Sequence, residues 1–209
     1  MSPGVPLADF VHVYEAGATP GARTLLLLHG TGGSEDDLLP LGRQLDPAAA
    51  LLSPRGQVLE HGMPRFFKRL AEGVFDLEDL ALRTDALAHF IEVAAELYGF
   101  DTDAMCAVGF SNGANVAASL LLRRPGMLRR AILFRAMVPF EPEVPAGLHG
   151  VRVLVSSGRN DTIAPPAHAE RLAELLRVAG AAVTLRFDDG AHGLSLDQVR
   201  AARDWLREP

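Results

Sequence analysis

The sequence alternates between short apolar runs and amphipathic segments along almost its whole length. The clearest run places four leucines between Thr24 and His29 and ends in the glycine-rich stretch Gly30–Gly33. A short apolar run closed by glycine is typical of a strand that is buried on both faces. Because such strands alternate with helix-like segments, we predict an α/β fold in which a mostly parallel, twisted sheet carries helices on both faces.

The predicted elements follow from apolar periodicity and from capping residues. A helix over residues 78–98 is indicated by one apolar face at three- and four-residue spacing: Leu80, Thr84, Leu87, Ile91, Ala94 and Tyr98. Shorter helices are predicted near residues 35–45, where Ser34 would be the N-cap, and near 112–123, 166–179 and 196–206. Further strands are predicted at Ala49–Ser53, Ala104–Phe110, Ala131–Ala136, Val151–Ser157 and Val183–Asp188, with Val11–Glu15 as an edge strand.

No repeat, charge run or low-complexity linker divides the 209 residues, so we predict a single domain over residues 1–209. A sheet with its helices occupies most of a chain of this length, and a large cap domain is therefore not expected. Residues 55–76 are irregular and rich in Gly, Pro and Phe. This segment is the one available to form a small lid or a pocket wall.

A Gly-x-Ser-x-Gly motif, Gly109-Phe-Ser111-Asn-Gly113, lies between a predicted strand and a predicted helix. The pattern alone is common, and an incidental serine in a glycine-rich loop is the plain alternative. In this context, however, a sharp strand-to-helix turn lifts the serine hydroxyl above the sheet, and the flanking glycines relieve crowding. Ser111 is therefore the candidate nucleophile.

A serine hydroxyl needs a base to take its proton and an acid to orient that base. Asp161 follows the strand at 151–157, and His192 follows the last predicted strand. Parallel strands bring their carboxyl ends to one edge of a sheet, so both residues are expected near Ser111. Asp188 and Asp189 are competitors for the acid, but they stand so close to His192 that a role in shaping the turn is expected.

The tetrahedral intermediate of acyl transfer needs two backbone N–H donors for its oxyanion. Asn112, directly after the candidate nucleophile, is expected to supply one of them. The loop after the first strand is expected to supply the other, with Thr31 as the first choice and Gly32 as the second. His29 stands before this loop and is expected to be a structural hydrogen-bonding group.

Composition argues against several other classes of protein. The chain has 20 Lys+Arg against 26 Asp+Glu, and its net charge of −6 disfavours both nucleic acid and anionic membrane surfaces as partners. Cys106 is the only cysteine, so no internal disulfide and no cysteine-clustered metal site can form. The loop at Gly30–Gly33 lacks the Gly-Lys-[Ser/Thr] ending of a nucleotide-binding loop, and no His-Glu-x-x-His motif is present. No cofactor and no metal are expected.

The first ten residues have neither a basic start nor an apolar run, so they do not resemble a signal peptide. No stretch approaches the roughly 18 apolar residues that a membrane-spanning helix needs. A cytoplasmic location is therefore expected. The partner expected from the candidate residues Ser111, Asp161 and His192 is a small-molecule ester. Homodimerisation through an exposed strand or helix stays open.

Taken together, these motifs resemble the α/β-hydrolase superfamily and, more narrowly, its small phospholipase/carboxylesterase group. The resemblance covers about residues 20–207 and is carried by Leu28–Gly33, Gly109–Gly113, Gly158–Asp161 and Ala191–Gly193. It implies the α/β-hydrolase fold and a serine carboxylesterase for small to medium carboxylic esters. By the same resemblance, Ser111, Asp161 and His192 form the catalytic triad.

Two departures limit the transfer of function from relatives within this superfamily. Dienelactone hydrolases have cysteine where this chain has Ser111. Acyl-protein thioesterases usually show Gly-His-Ser-Gln-Gly, whereas Phe110 and Asn112 stand here. A lysophospholipase or acyl thioesterase is therefore the second hypothesis, and a catalytically inactive binding protein is the third.

Substrate specificity is less well indicated by the sequence. The candidate pocket residues are apolar side chains of the 55–76 segment and of the strand end near residue 137, namely Met63, Phe66, Phe67, Phe75 and Met137. Ordinary core packing is the alternative for these side chains. Arg65 and Arg135 are candidates to meet a carboxylate or phosphate of the substrate, with a solvated surface or a structural ion pair as the alternative.

Overall fold

The computed structural model describes residues 10–143 and 147–208, which include every predicted strand and helix. Of the ten residues on which the signal-peptide expectation rests, the first nine lie outside the described ranges. The main sheet contains β1 (His12–Glu15), β2 (Thr24–Leu28), β3 (Ala50–Pro54), β8 (Cys106–Phe110), β9 (Arg130–Phe134), β10 (Arg152–Gly158) and β11 (Ala182–Asp188). Four shorter strands, β4 (Val58–Glu60), β5 (Met63–Arg65), β6 (Arg69–Ala71) and β7 (Val74–Phe75), lie between β3 and the longest helix.

The seven strands of the main sheet are ordered β1-β3-β2-β8-β9-β10-β11. β1 runs antiparallel to β3 at one edge, and every other neighbouring pair in the sheet is parallel. The chain therefore returns through helices, as the predicted α/β pattern requires. Because β8 is the central strand, the residue that follows it stands in the middle of the carboxyl edge of the sheet.

Five helices cover the sheet: α1 (Leu39–Leu45), α2 (Leu77–Tyr98), α3 (Asn112–Arg123), α4 (Pro166–Val178) and α5 (Leu196–Arg207). The two buried clusters of the core place α2, α3 and α4 on one face of the sheet and α1 and α5 on the other. The helices on both faces confirm the predicted architecture. None of the described helices is both long enough and apolar enough to span a bilayer.

The strand β2 shows why an unbroken apolar run forms a central strand. Leu25 and Leu27 pack into the cluster on the α1 and α5 side, whereas Leu26 and Leu28 pack into the cluster on the opposite face. Side chains alternate across a strand, so only a strand covered on both faces buries every residue. Full burial of each leucine stabilises the fold by about 1.5–3 kcal/mol.

One predicted helix start is wrong. The helix α1 begins at Leu39, and Ser34 is not its N-cap. The Ser34 hydroxyl instead donates to Asp37, while Glu35 forms a paired hydrogen bond with the guanidinium of Arg55. The acidic residues that resemble a first helical turn are used in a turn next to the Gly30–Gly33 loop.

Residues 58–75, which have no regular pattern in the sequence, form two short hairpins and are called the two-hairpin segment. β4 pairs with β5, and β6 pairs with β7, both antiparallel. Its attachment to the carboxyl edge of the sheet is direct, since Pro64 O accepts a hydrogen bond from Gly32 N–H and Phe66 N–H donates to Asn112 Oδ1. Arg65, Arg69 and Phe75 of this segment line a cleft at the carboxyl edge of the sheet.

Candidate active site

Ser111 occupies the sharp turn between β8 and α3. Its φ of 52° lies in the left-handed region that side-chain-bearing residues rarely adopt. The flanking glycines are needed because a Cβ on Gly109 would come within 2.6 Å of Ala114 N, and one on Gly113 within 1.9 Å of Leu28 O. The turn thus depends on close packing against β2, and it places the Ser111 hydroxyl at the carboxyl edge of the sheet.

His192 joins Ser111 to Asp161 through two hydrogen bonds. Its Nε2 lies 2.8 Å from Ser111 Oγ, and its Nδ1 lies 2.8 Å from Asp161 Oδ2. A carboxylate only accepts, so Nδ1 carries the proton and Nε2 is free to accept from the Ser111 hydroxyl. The three residues come from loops after β8, β10 and β11, so the sheet brings them together from distant parts of the chain.

Asp161 is buried and is held in place by the backbone. Its second oxygen, Oδ1, accepts hydrogen bonds from the N–H groups of Ile163 and Ala164 at 2.9 and 2.8 Å. The two competitors are used elsewhere, since Asp188 pairs with Arg135 and Asp189 is exposed next to Arg159. Asp161 is therefore the carboxylate that orients His192.

The two candidate oxyanion donors of the loop after β2, Thr31 and Gly32, differ in whether their N–H groups are already hydrogen-bonded. Gly32 N–H already donates to Pro64 O at 2.9 Å, and Gly33 N–H donates to Gly30 O at 3.1 Å. Among the described residues, the N–H groups of Thr31 and Asn112 have no hydrogen-bond acceptor. This distribution favours Thr31 over Gly32 as the partner of Asn112 in an oxyanion hole.

His29 supports this loop from below. Its Nε2 accepts a hydrogen bond from Gly56 N–H at 2.9 Å, so the proton resides on Nδ1, which donates to Gly30 O at 2.6 Å. Burial lowers the pKa of His29 below its ordinary value, and hydrogen bonding to Gly30 only partly opposes this. A neutral His29 with hydrogen bonds at both ring nitrogens is a structural group, as expected from its position.

A cleft of about 300 Å³ opens above Ser111. Its walls combine apolar side chains with hydrogen-bonding and charged ones: Thr31, Arg65, Arg69, Glu72, Phe75, Phe110, Asn112, Asn115, Met137, Ile163 and His192. Within the described residues, no three His, Cys, Asp or Glu side chains are grouped as a metal site requires. The arrangement brings a serine hydroxyl, an imidazole, a buried carboxylate and two free amides together around one cleft.

A sequence model of the phospholipase/carboxylesterase family matches residues 11–208. The chain belongs to this family. Among curated proteins, the putative hydrolase MhqD of Bacillus subtilis is 47% identical over 197 residues, which cover 94% of this chain and 98% of that protein. The family is one of hydrolases, and this chain is a hydrolase with the α/β-hydrolase fold.

Solved structures of family members agree with this assignment. A carboxylesterase from Bacillus cereus is 47% identical, covers 94% of this chain and 93% of its own, and superposes with a TM-score of 0.92. A carboxylesterase from Mesorhizobium loti is 32% identical, covers 96% of both chains and superposes with a TM-score of 0.91. The resemblance inferred from four short motifs thus extends over nearly the whole hydrolase.

The pocket residues predicted for this hydrolase divide into two groups. Phe75 and Met137 line the cleft, whereas Met63, Phe66 and Phe67 do not. Phe66 packs its ring 4.8 Å from that of His29 in the core, and Phe67 is completely buried behind Phe75. Met63 is half-exposed and lies outside the cleft beside Gly32. The structure thus does not place these three side chains in the cleft, because Phe66 and Phe67, between β5 and β6, point into the core and Met63 lies outside the cleft.

Two residues that line the cleft, Phe110 and Asn115, were not predicted, although the sequence contains a pattern that points to each of them. Phe110 is the second residue of the Gly-x-Ser-x-Gly motif, and its ring lies 5.4 Å from that of His192. Asn115 stands three residues after Asn112, which places the two side chains on the same face of α3. Ile163 and Arg69 carried no comparable signal, since their positions depend on how their loops fold.

Arg135 does not line the cleft. Its guanidinium is completely buried, donates to Gly193 O at 2.7 Å and pairs with Asp188 at 3.1 Å. A further bond reaches Gln198 Oε1 at 3.1 Å. Arg135 therefore ties the loop that carries His192 to the start of α5, and the structural ion pair is the correct alternative for this residue. Arg65, by contrast, lines the cleft.

Proposed function

We propose that this hydrolase is a serine carboxylesterase that cleaves small to medium carboxylic esters through an acyl-enzyme. The observation that carries the proposal is the continuous hydrogen-bond chain from Ser111 through His192 to buried Asp161, with two free amides beside it. The order of the three groups along this chain is the order that nucleophilic acyl transfer needs, with the imidazole between the hydroxyl and the carboxylate.

The proposed reaction begins when Ser111 Oγ attacks the ester carbonyl and His192 Nε2 takes the hydroxyl proton. Asp161 keeps the imidazolium oriented and stabilises its charge. The N–H groups of Thr31 and Asn112 hold the oxyanion of the tetrahedral intermediate. His192 then protonates the leaving alcohol, and a water molecule activated by the same imidazole hydrolyses the acyl-enzyme.

The size of the cleft supports small substrates. A volume of about 300 Å³ is at the lower end of the roughly 300–1,000 Å³ found for ligand pockets. A long acyl chain therefore has little room, which favours a carboxylesterase over a lysophospholipase or a long-chain acyl thioesterase. A cytoplasmic location and a homodimer stay predictions.

The first test is replacement of the nucleophile. Ser111→Ala should reduce hydrolysis of a 4-nitrophenyl ester by up to about a millionfold, whereas Ser119→Ala, which changes a buried serine within α3 away from the cleft, should stay active. Unchanged hydrolysis in Ser111→Ala would reject the mechanism. Absence of fluorophosphonate labelling at Ser111 would favour an inactive binding protein, and faster cleavage of long-chain thioesters would favour a thioesterase.

A further inference from the structure

The cleft contains more hydrogen-bond donors than acyl transfer requires. Arg65, at the end of β5, has a side chain that is only 4% exposed, and it lines the cleft. Its Nη1 donates to Thr31 Oγ1 at 2.7 Å. The guanidinium is thereby hydrogen-bonded to the side chain of the residue whose backbone N–H is the proposed oxyanion donor, so a cation lies close to that donor.

The charge of this cation is only partly balanced. Arg65 and Arg69 share a single carboxylate, Glu60, at 3.1 and 2.8 Å. Burial lowers the pKa of Arg65, and neighbouring Arg69 lowers it further, although Glu60 opposes both. Glu72 also lines the cleft, but it is exposed in the turn after β6, where water and salt screen its charge.

Two carboxamides add uncharged donors at the cleft wall. Asn112 Oδ1 accepts from Phe66 N–H at 2.8 Å, and Asn115 Oδ1 accepts from Met137 N–H at 2.7 Å. Because these bonds fix both amide oxygens, the NH₂ groups are the free ends. Asn112 Nδ2 is buried without any partner among the described residues. A buried donor without an acceptor is unfavourable, and a substrate oxygen would relieve that cost.

We propose that the cleft takes esters whose acyl part carries a second, negatively charged carboxylate, and that Arg65 binds it together with the NH₂ groups of Asn112 and Asn115. This substrate class rests on the proposed esterase function. The acyl side is assigned from topology. His192, the proposed proton donor to the leaving alcohol, comes from the β11 side of Ser111, whereas Thr31 lies on the β2 side and Arg65 is hydrogen-bonded to it. An anion near Arg65 therefore belongs to the acyl group.

The test compares monomethyl glutarate with methyl pentanoate, two methyl esters of equal acyl length that differ in the terminal carboxylate. The wild-type enzyme should prefer the charged ester in kcat/KM by about 10- to 100-fold, as expected for a charge-assisted hydrogen bond. Arg65→Met should abolish this preference, and Arg65→Lys should retain part of it. Arg43→Met, which removes an exposed arginine on α1, is the matched control and should leave the ratio unchanged.

The ratio of the two esters separates this proposal from the esterase proposal. Cleavage of methyl pentanoate without any preference for the charged ester overturns the acyl-carboxylate site and leaves the esterase intact. Persistence of the preference in Arg65→Met also overturns it. If neither ester is cleaved, the esterase proposal fails for such esters. Binding of free glutarate then tests the proposed carboxylate site. It should raise the Tm of the Ser111→Ala protein in a saturable manner, and no rise overturns the site. If Arg65→Met does not fold, Arg65→Gln takes its place.

Discussion

Replacement of Arg135 by methionine tests whether the buried cation holds the loop that carries His192. The substitution removes five hydrogen bonds, two to Gly193 O, two to Asp188 and one to Gln198. Methionine replaces the aliphatic part of the side chain and keeps its unbranched Cβ, so the strain of the left-handed backbone at φ 56° is the same in both proteins. The change therefore isolates the guanidinium.

The expected loss in the free energy of unfolding follows from the buried carboxylates that are left without their cation. Removal of one partner from a buried ion pair typically costs about 3–5 kcal/mol, because the other charge is left without compensation. Two carboxylates lose this cation. The side chain of Asp188 is 25% exposed and can regain some water, whereas that of Asp161, whose Oδ2 lies 4.0 Å from Arg135 Nε, is fully buried, so about 3–5 kcal/mol is expected. For a chain of this size each kcal/mol lowers Tm by about 2–4 °C, and the expected fall is about 6–20 °C.

The effect on activity follows from geometry. Gly193 is the residue after His192, so loss of its hydrogen bonds loosens the imidazole relative to Ser111. A displacement of about 1 Å can cost a hundredfold in rate, and we expect kcat to fall by about 10- to 100-fold. KM should change less, because Arg135 does not line the cleft. Calorimetry and steady-state ester hydrolysis below the lowered Tm measure the two effects.

Arg159→Met is the matched control. Arg159 stands near the same loop and pairs with Asp189 at 3.6 Å, but these side chains are 62% and 94% exposed. An exposed pair contributes little, so the free energy of unfolding should change by no more than about 0.5 kcal/mol. An equal fall in Tm for both variants would refute the argument from burial. A fall in Tm without any change in kcat would refute the positioning role.

Three further predictions concern groups below the cleft. Gly113→Ala should abolish soluble expression, because the new Cβ meets backbone oxygen at 1.9 Å, whereas Gly147→Ala, in open space, should express normally. Cys106 is buried and its pKa is raised to about 12, so iodoacetamide should modify it only in denaturant; modification of native protein contradicts this. The lowered pKa of His29 means that the unfolded chain binds a proton first, so stability should fall as pH drops below about 6.5. Urea midpoints at about pH 7.5 and 5.5 should differ less in His29→Gln than in wild type, and equal differences would contradict it.

Local sequence was sufficient for the succession along the chain of the main-sheet strands and the helices, although not for the four short strands β4–β7. An unbroken apolar run such as Leu25–Leu28 has only one stable place in a domain, between two helical layers. The order of Ser111, Asp161 and His192 could also be read directly, because each follows a strand and parallel strands end at one edge of the sheet. Contact among the three is thus a consequence of topology, while their catalytic role stays a prediction.

Tertiary structure decided the features that depend on a second, distant segment. The choice of Thr31 over Gly32 rests on Pro64 O, and the burial of Arg135 rests on Asp188 and Gly193, more than fifty residues away. The strands of residues 58–75 are two or three residues long, too short for alternation to show which side chains face the cleft. The order of elements is encoded by periodicity within each segment, whereas the cleft walls and free amides depend on contacts between segments that no local pattern records.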